Sequence, residues 1–191
     1  MLKTIQNAFK IPDLRKKLIY IFMMLVVIRF GSQLPIPGVD PSFIRNFFEQ
    51  HEGDAFNFFN AMTGGSFTNM SIFALSITPY ITSSIIIQLL TIAIPKLEEM
   101  QKEGEDGRKK IIEYTRYLTV ALALIQSTAM SIGFGSSGLL INFNEQTGLG
   151  KAGLIIVAVS TMTAGSALLM WIGERITQNG VGNGISIVLM I

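Results

Sequence analysis

Long apolar stretches without charged residues alternate with short polar segments along this chain. Asp, Glu, Lys and Arg are absent from residues 55–95, 117–144, 152–173 and 176–191. A helix rises about 1.5 Å per residue, so about 20 predominantly apolar residues are needed to cross ~30 Å of hydrocarbon. None of these stretches shows the strict alternation of a barrel strand. The pattern therefore predicts membrane-spanning helices at 71–94, 111–134 and 152–173.

Two shorter apolar runs complete the predicted topology. Residues 18–34 form a first span that contains Arg29, and the run that begins near residue 183 is still apolar at residue 191. We interpret 183–191 as the start of a fifth span that is cut off in mid-run. The remaining segments are predicted to be a cytoplasmic N-terminus (1–17), outer loops (35–54 and 135–151) and cytoplasmic loops (95–110 and 174–182).

Positive charges predict the orientation, because the cytoplasmic loops of membrane proteins are rich in Lys and Arg. With the N-terminus in the cytoplasm, Arg45 and Lys151 lie outside. Arg29 lies near the outer end of the first span, where it either snorkels to the interface or pairs with a buried group. Twelve positive residues then lie inside: Lys3, Lys10, Arg15, Lys16, Lys17, Lys96, Lys102, Arg108, Lys109, Lys110, Arg116 and Arg175.

The composition agrees with a membrane protein and argues against several chemistries. Hydrophobic residues make up 49% of the chain and charged residues 15%, against about 25% charged residues in soluble domains. The absence of cysteine excludes disulfides, thiolate metal sites and a cysteine nucleophile, and the single histidine, His51, cannot form a histidine-rich metal site alone. We therefore predict no enzyme activity, no metal and no cofactor. The net charge of +2 is too small to indicate a nucleic-acid partner.

Residues 55–70 (AFNFFNAMTGGSFTNM) do not fit a plain helical bundle. They carry no charge, yet their Asn, Thr and Gly residues make them too polar and too broken to span a membrane. One interpretation is an interfacial helix on the outer surface. The other is a re-entrant segment, because irregular backbone at membrane depth is tolerated where protein or a wet cavity surrounds it. Both interpretations remain open at this point.

The predicted span 71–94 has two unusual features. Pro79 is expected to kink it, and its many Ser and Thr residues indicate that part of it faces protein or water. Ile77, Ile81 and Ile85 are spaced by four residues and share one helix face. Spacing alone leaves open whether this face contacts lipid, packs against other helices or lines a pore.

Four long strings carry a resemblance to a known family. They are RFGSQLPIPGVD (29–40), SIFALSITPYITSSIIIQLL (71–90), KEGEDGRKKIIEYTRY (102–117) and MWIGERITQNGVGNGISI (170–187). In this order they resemble the SecY family of central subunits of bacterial protein-conducting Sec channels, and the match runs essentially from end to end. The resemblance implies an all-α polytopic membrane fold of ten spans in two pseudo-symmetric halves. This chain would be the N-terminal half, with a re-entrant plug segment.

The resemblance also implies roles for particular residues. Residues 55–70 align with the plug that blocks the pore from outside, and the spans at 71–94 and 111–134 align with one side of the lateral gate. The expected pore ring consists of Ile77, Ile81, Ile185 and Leu189, where most members carry isoleucine at the last position. The expected plug residues are Phe58, Phe59, Met62, Gly64, Gly65 and Phe67. The candidate polar residues of the lateral gate are Ser83, Gln88 and Gln126.

The function implied by the resemblance is protein transport. Unfolded secretory polypeptides would pass across the bacterial plasma (inner) membrane, and membrane segments would pass laterally into it, without any bond being made or broken. The implied partners are SecE, SecG, the SecA ATPase, the ribosome, signal peptides, secretory and membrane-protein precursors and the lipid bilayer, with no direct nucleic-acid contact. The alternative is half of a small-solute secondary transporter, which would bind its solute near the bilayer midplane.

Overall fold

The structure is a computed structural model that describes residues 11–40, 42, 46, 61, 63–135, 138, 140, 141, 143 and 148–190. Within these residues the fold is helical and contains no strand. Two isolated β-bridges, Pro35 with Ser71 and Val39 with Leu140, join the loops between helices. The helices are α1 (Pro12–Gly31), α2 (Thr78–Ala93), α3 (Pro95–Lys102), α4 (Glu105–Phe134), α5 (Gly148–Asn179) and α6 (Gly184–Leu189).

Helix α5 is central to the described part of the chain. It contacts α1, α4 and α6, and α4 in turn contacts α2 and α3. By length and composition, α5 is the helix in the described ranges that can cross a membrane on its own. Helices α2 and α3 would be a second span if the two were counted as one broken span, since they meet at a bend of 101°.

The kink that Pro79 was expected to cause is absent, and that expectation is wrong. Helix α2 begins at Thr78, so Pro79 lies in its first turn, where a missing N–H is harmless and the fixed φ suits a helix. The start of the predicted span is not helical: Ser71 forms a β-bridge and residues 72–77 form turns. The sharp bend lies at Pro95, whose ring disfavours helical geometry at the preceding residue. Accordingly, Ile94 is extended, with φ −112° and ψ 112°.

The turns before α2 contribute side chains to both hydrophobic clusters of the described residues. Met70, Ala74 and Leu75 belong to a first cluster with residues of α4, α5 and the loop after α1. Phe73 and Ile77 belong to a second cluster with Ile28, Leu169, Ile172, Ile176 and Val188. This irregular segment is buried between helices, where the surrounding protein can provide hydrogen-bond partners for its backbone N–H and C=O groups.

The long helices α4 and α5 are tied together by polar contacts at two levels. The Arg116 guanidinium donates from Nε to Glu174 Oε1 (2.9 Å) and from Nη2 to Glu174 Oε2 (2.7 Å). Further along the helices, the buried hydroxyls of Ser127 and Thr163 share a hydrogen bond of 3.1 Å. A bidentate pair is stronger and more directional than a single charged hydrogen bond. These contacts hold α4 and α5 as one unit.

We expect the Arg116–Glu174 pair to contribute about 1–2 kcal/mol of coupling energy, because Glu174 is mostly buried and would lose both hydrogen bonds. A double-mutant cycle with Arg116→Ala and Glu174→Ala, read out by thermal unfolding in detergent, measures this energy. The pair Lys109–Asp106 on the same helix is a matched control, since both side chains are exposed. Its coupling energy should stay below about 0.5 kcal/mol. Equal values for the two pairs would contradict the expectation.

Candidate functional site

The four residues predicted to form a ring lie in the second hydrophobic cluster. Ile77 is fully buried, with 0% of its surface exposed. Ile81, Ile185 and Leu189 are partly buried and pack against the same buried side chains. The structure therefore brings together residues that lie more than 100 positions apart in the sequence. Their surroundings within the described residues are mainly aliphatic, from α1 and α5.

The four predicted ring residues come from two segments, the start of α2 and the short helix α6. Ile77 immediately precedes α2, and its carbonyl accepts from the Tyr80 N–H (3.0 Å) and the Ile81 N–H (3.2 Å). At the start of α6, the Asn183 side chain accepts from the Ile185 N–H at 3.0 Å, which is the usual chemistry of a helix N-cap. Ile81 and Leu189 each follow one helical turn later.

Two facing glycines allow α6 to pack closely against α5. A Cβ added at Gly184 would overlap the carbonyl oxygen of Gly173. A Cβ added at Gly173 would lie 3.3 Å from Ile185 Cγ1 and 3.5 Å from Ile77 Cδ1. Thr177 adds polar contacts, because its hydroxyl donates to the Gly173 carbonyl (2.9 Å) and accepts from the Gly184 N–H (2.9 Å). This contact positions Ile185 beside Ile77.

A third glycine allows the segment before α2 to pack closely against α5. A Cβ at Gly165 would overlap the carbonyl oxygen of Ile72. The neighbouring Ser166 hydroxyl donates to the carbonyl of Ser76 at 3.2 Å. Ser76 has a left-handed φ of 53°, which is uncommon for a residue with a side chain. The sequence reasoning missed Gly165, Gly173 and Gly184, although G-N-G at 182–184 was a possible signal.

Among the described residues, no hydrogen bond joins the candidate gate residues to one another. Ser83 is buried, and its hydroxyl donates to the Pro79 carbonyl of its own helix at 2.7 Å. Gln88 is exposed and donates to Ser84 Oγ at 3.4 Å, whereas Gln126 is partly buried on α4. Other buried hydroxyls of α2 and α4 also donate to carbonyls of their own helices: Thr91, Thr115, Thr119 and Ser127.

Of the residues predicted to form the plug, Gly64, Gly65 and Phe67 are described, whereas Phe58, Phe59 and Met62 lie outside the described residues. Residues 63–70 form successive turns, with left-handed φ values of 59° at Gly64 and 80° at Gly65. Hydrogen bonds join this segment and the residues that follow it to the loop after α1. The Ile36 N–H donates to the Met70 carbonyl (2.9 Å), and the Ile72 N–H donates to the Leu34 carbonyl (3.0 Å). The segment is therefore packed within the protein rather than laid over it as a helix.

A small cavity of about 20 Å³ separates these turns from the second cluster. Such a volume holds about one water molecule. Its wall includes residues of the turns, of α1 and of the second cluster: Thr63, Gly64, Ser66, Ile28, Arg29, Leu169 and Val188. The turns thus lie directly beside the cluster that contains the four residues predicted to form the ring.

Comparison with known proteins gives consistent matches along the chain. The SecY family model matches residues 71–191, which is more than half of the chain. The chain is 45% identical to the protein translocase subunit SecY of Pseudomonas aeruginosa over 179 residues, covering 94% of this chain and 39% of that protein. It is 44% identical to the subunit of the same name from Halalkalibacterium halodurans, covering 99% of this chain and 42% of that protein. The chain thus spans about two fifths of the length of these relatives.

Two solved structures resemble the fold. One is Sec61 in the canine ribosome-channel complex from the endoplasmic reticulum, and the other is described as a protein conducting channel. Each has a TM-score of 0.59 and 17% sequence identity, and each match covers 97% of this chain. The matches cover 40% and 39% of those chains, respectively.

Proposed function

The chain belongs to the SecY family, and we propose that it forms one half of the pore of a protein-conducting channel. The predicted all-α polytopic channel fold is confirmed by the helical structure and its solved neighbours. The observation that supports the pore most directly is the convergence of Ile77, Ile81, Ile185 and Leu189 in one aliphatic cluster. Two separate segments, the start of α2 and the short helix α6, provide these side chains, as expected for one side of a constriction.

An aliphatic ring can close a pore without a rigid seal. Ions would have to lose their hydration shells to enter a dry constriction, and hydrophobic constrictions of this kind gate by excluding water. Isoleucine and leucine side chains can be displaced by an extended polypeptide and can then close again behind it. In this account residues 63–70 belong to the plug, which covers the ring while no polypeptide is present.

The lateral exit in this proposal lies along α2 and α4, which together form one side of the gate. The buried hydroxyls of Ser83, Thr91, Thr115 and Thr119 donate within their own helices, so opening the gate would not break these hydrogen bonds. A signal peptide is an apolar helix and can replace helix–helix contacts with its own. It shifts the equilibrium toward the open state only by its differential affinity for the two states.

The proposed setting is the bacterial plasma membrane, with the N-terminus in the cytoplasm. The distribution of Lys and Arg supports this orientation, and the relatives are bacterial translocase subunits. Movement of the polypeptide requires energy from outside the channel, and we propose that the SecA ATPase or the translating ribosome provides it. SecE and SecG are the proposed companion subunits. The canine Sec61 neighbour belongs to a ribosome-channel complex, which supports the ribosome as a partner by analogy.

Export in living cells tests the proposal. Cells depleted of their own channel subunit should regain export of a secreted reporter when they produce the complete gene product that carries this chain. A variant with Ile77, Ile81, Ile185 and Leu189 all changed to lysine provides the negative control, because four charges would hydrate the constriction. Failure of the unmodified protein to restore export, despite normal insertion and assembly, would overturn the proposed function.

A further inference from the structure

Arg29 makes a contact that links α1 to the turns beside the ring. It lies in the last turn of α1, and its Nη1 donates to the carbonyl oxygen of Gly64 at 3.1 Å. The residues are 35 positions apart, so the hydrogen bond is a tertiary contact. Arg29 is exposed, so it pairs with a backbone carbonyl at the surface of the described residues rather than with a buried group.

The local backbone presents the Gly64 carbonyl to Arg29. The Gly64 N–H donates to the Ala61 carbonyl (3.1 Å), and the Ser66 N–H donates to the Thr63 carbonyl (3.1 Å). These bonds define tight turns on both sides of Gly64, whose φ of 59° favours glycine. On the other side, the Ser32 hydroxyl donates to the Arg29 carbonyl at 2.7 Å and stabilises the end of α1. Local structure therefore holds the acceptor carbonyl and the backbone that carries the donor side chain.

The contact lies at the cavity between the turns and the second hydrophobic cluster. Arg29, Thr63, Gly64 and Ser66 line it from one side, and Leu169 and Val188 line it from the side of the cluster. If residues 63–66 moved away from the cluster, the hydrogen bond from Arg29 would break and the cavity would open. The bond therefore stabilises the arrangement in which the turns cover the cluster.

We propose that Arg29 is the positioning residue that holds residues 63–66 in the closed state of the channel. The proposal rests on the proposed function, in which these residues form part of the plug. A charge-assisted hydrogen bond is formed in the closed state and lost when the turns move. Removing it should raise the population of the open state by about three- to tenfold, as expected for a net contribution typical of a protein hydrogen bond.

The test uses the complete gene product in its assembled channel. Arg29→Gln should raise the ion conductance of resting channels in planar bilayers by about three- to tenfold. It should also increase export of a precursor with a weakened signal peptide, because less binding energy is then needed to open the channel. Arg15→Gln, at the other end of α1, is the matched control and should leave both readouts unchanged.

A second variant separates the hydrogen bond from the charge. The double substitution Arg29→Gln with Gln33→Arg keeps a positive charge at this end of α1, because Gln33 is exposed just beyond the helix. If Arg29→Gln alone fails to accumulate in the membrane, the resting conductance of this double variant is measured instead. We expect it to leak like Arg29→Gln. Conductance equal to that of the unmodified channel would overturn the proposal, since charge rather than the contact with Gly64 would then be responsible.

Deletion of residues 61–66 distinguishes failure of this proposal from failure of the proposed function. The deletion should raise the resting conductance. Adding the double substitution Arg29→Gln with Gln33→Arg to the deletion should then have no further effect on the conductance. Suppose that the deletion raises the conductance and that the double substitution raises it again, by the same factor as in the undeleted channel. Arg29 then does not act through these turns. If the deletion leaves resting conductance unchanged, the plug assignment within the proposed function fails.

Discussion

Changing Gly165 to alanine is expected to destabilise the protein by about 3 kcal/mol, the upper end of the usual penalty for adding a methyl group to a packed interior. The new Cβ would overlap the carbonyl oxygen of Ile72. Because the overlapping atom belongs to the backbone, a change of side-chain rotamer cannot relieve the clash. The segment before α2 would have to move away from α5.

The consequences of this change extend to the candidate site. The displaced segment contains Ile77, and its contact with α5 includes the hydrogen bond from Ser166 to the Ser76 carbonyl. We expect reduced abundance in the membrane and a lower midpoint of thermal unfolding in detergent, because marginal stability makes a loss of this size severe.

The same helix offers a matched control for Gly165. Gly153 is exposed, and a Cβ at this position would meet no atom of the described residues within 4 Å. Gly153→Ala should be neutral or stabilise the helix by up to about 1 kcal/mol, the usual difference between the two residues in a helix. Equal effects of Gly165→Ala and Gly153→Ala would contradict the close packing of α5 against Ile72.

Changing Ile81 to asparagine is expected to raise the resting ion conductance of the assembled channel at least about tenfold, because a polar side chain hydrates a constriction that excludes ions by being dry. Ile81 is partly buried and packs against the cluster that contains Ile77. Conductance of purified channels in planar bilayers, without precursor, measures the effect. Ile81→Leu should keep the conductance low, since it preserves aliphatic bulk.

The control for Ile81 lies two turns further along α2. Leu89 is 62% exposed, so its side chain lies mostly outside the helix packing of the described residues. Leu89→Asn should change the resting conductance little, although it introduces the same polar group on the same helix. A similar leak in both variants would indicate general disruption of α2, and the assignment of Ile81 to the ring would then be wrong.

The long apolar runs coincide with helices of the structure, but their ends differ. The run at 152–173 lies within α5, which continues through the charged residues Glu174 and Arg175 to Asn179. Hydropathy alone could not predict this extension, because Glu174 is stabilised there by Arg116 of another helix. Likewise, Pro79 can either kink a helix or begin one, and tertiary packing of residues 71–77 favours the second outcome.

The residues of the candidate site were predicted more from the family resemblance than from the hydrophobic pattern. Spacing alone placed Ile77, Ile81 and Ile85 on one face, yet their environments diverge from full burial at Ile77 to 51% exposure at Ile85. The resemblance supplied Ile185 and Leu189, which no local pattern connects to α2. Apart from the G-N-G at 182–184, no sequence signal marked the glycines that bring these segments together, because the clash that a Cβ would cause depends on a neighbouring backbone segment.

The central claim is that a translocating polypeptide passes the ring, and site-specific crosslinking tests it most directly. A single cysteine would replace Ile81 in a cysteine-free version of the complete gene product, with a cysteine at Leu89 as the exposed control. A secretory chain stalled during translocation would carry a single cysteine of its own. We predict a disulfide at position 81 and none at position 89. Absence of the crosslink at position 81, while translocation proceeds normally, would contradict the account and leave Ile77 and Ile81 as ordinary packing residues.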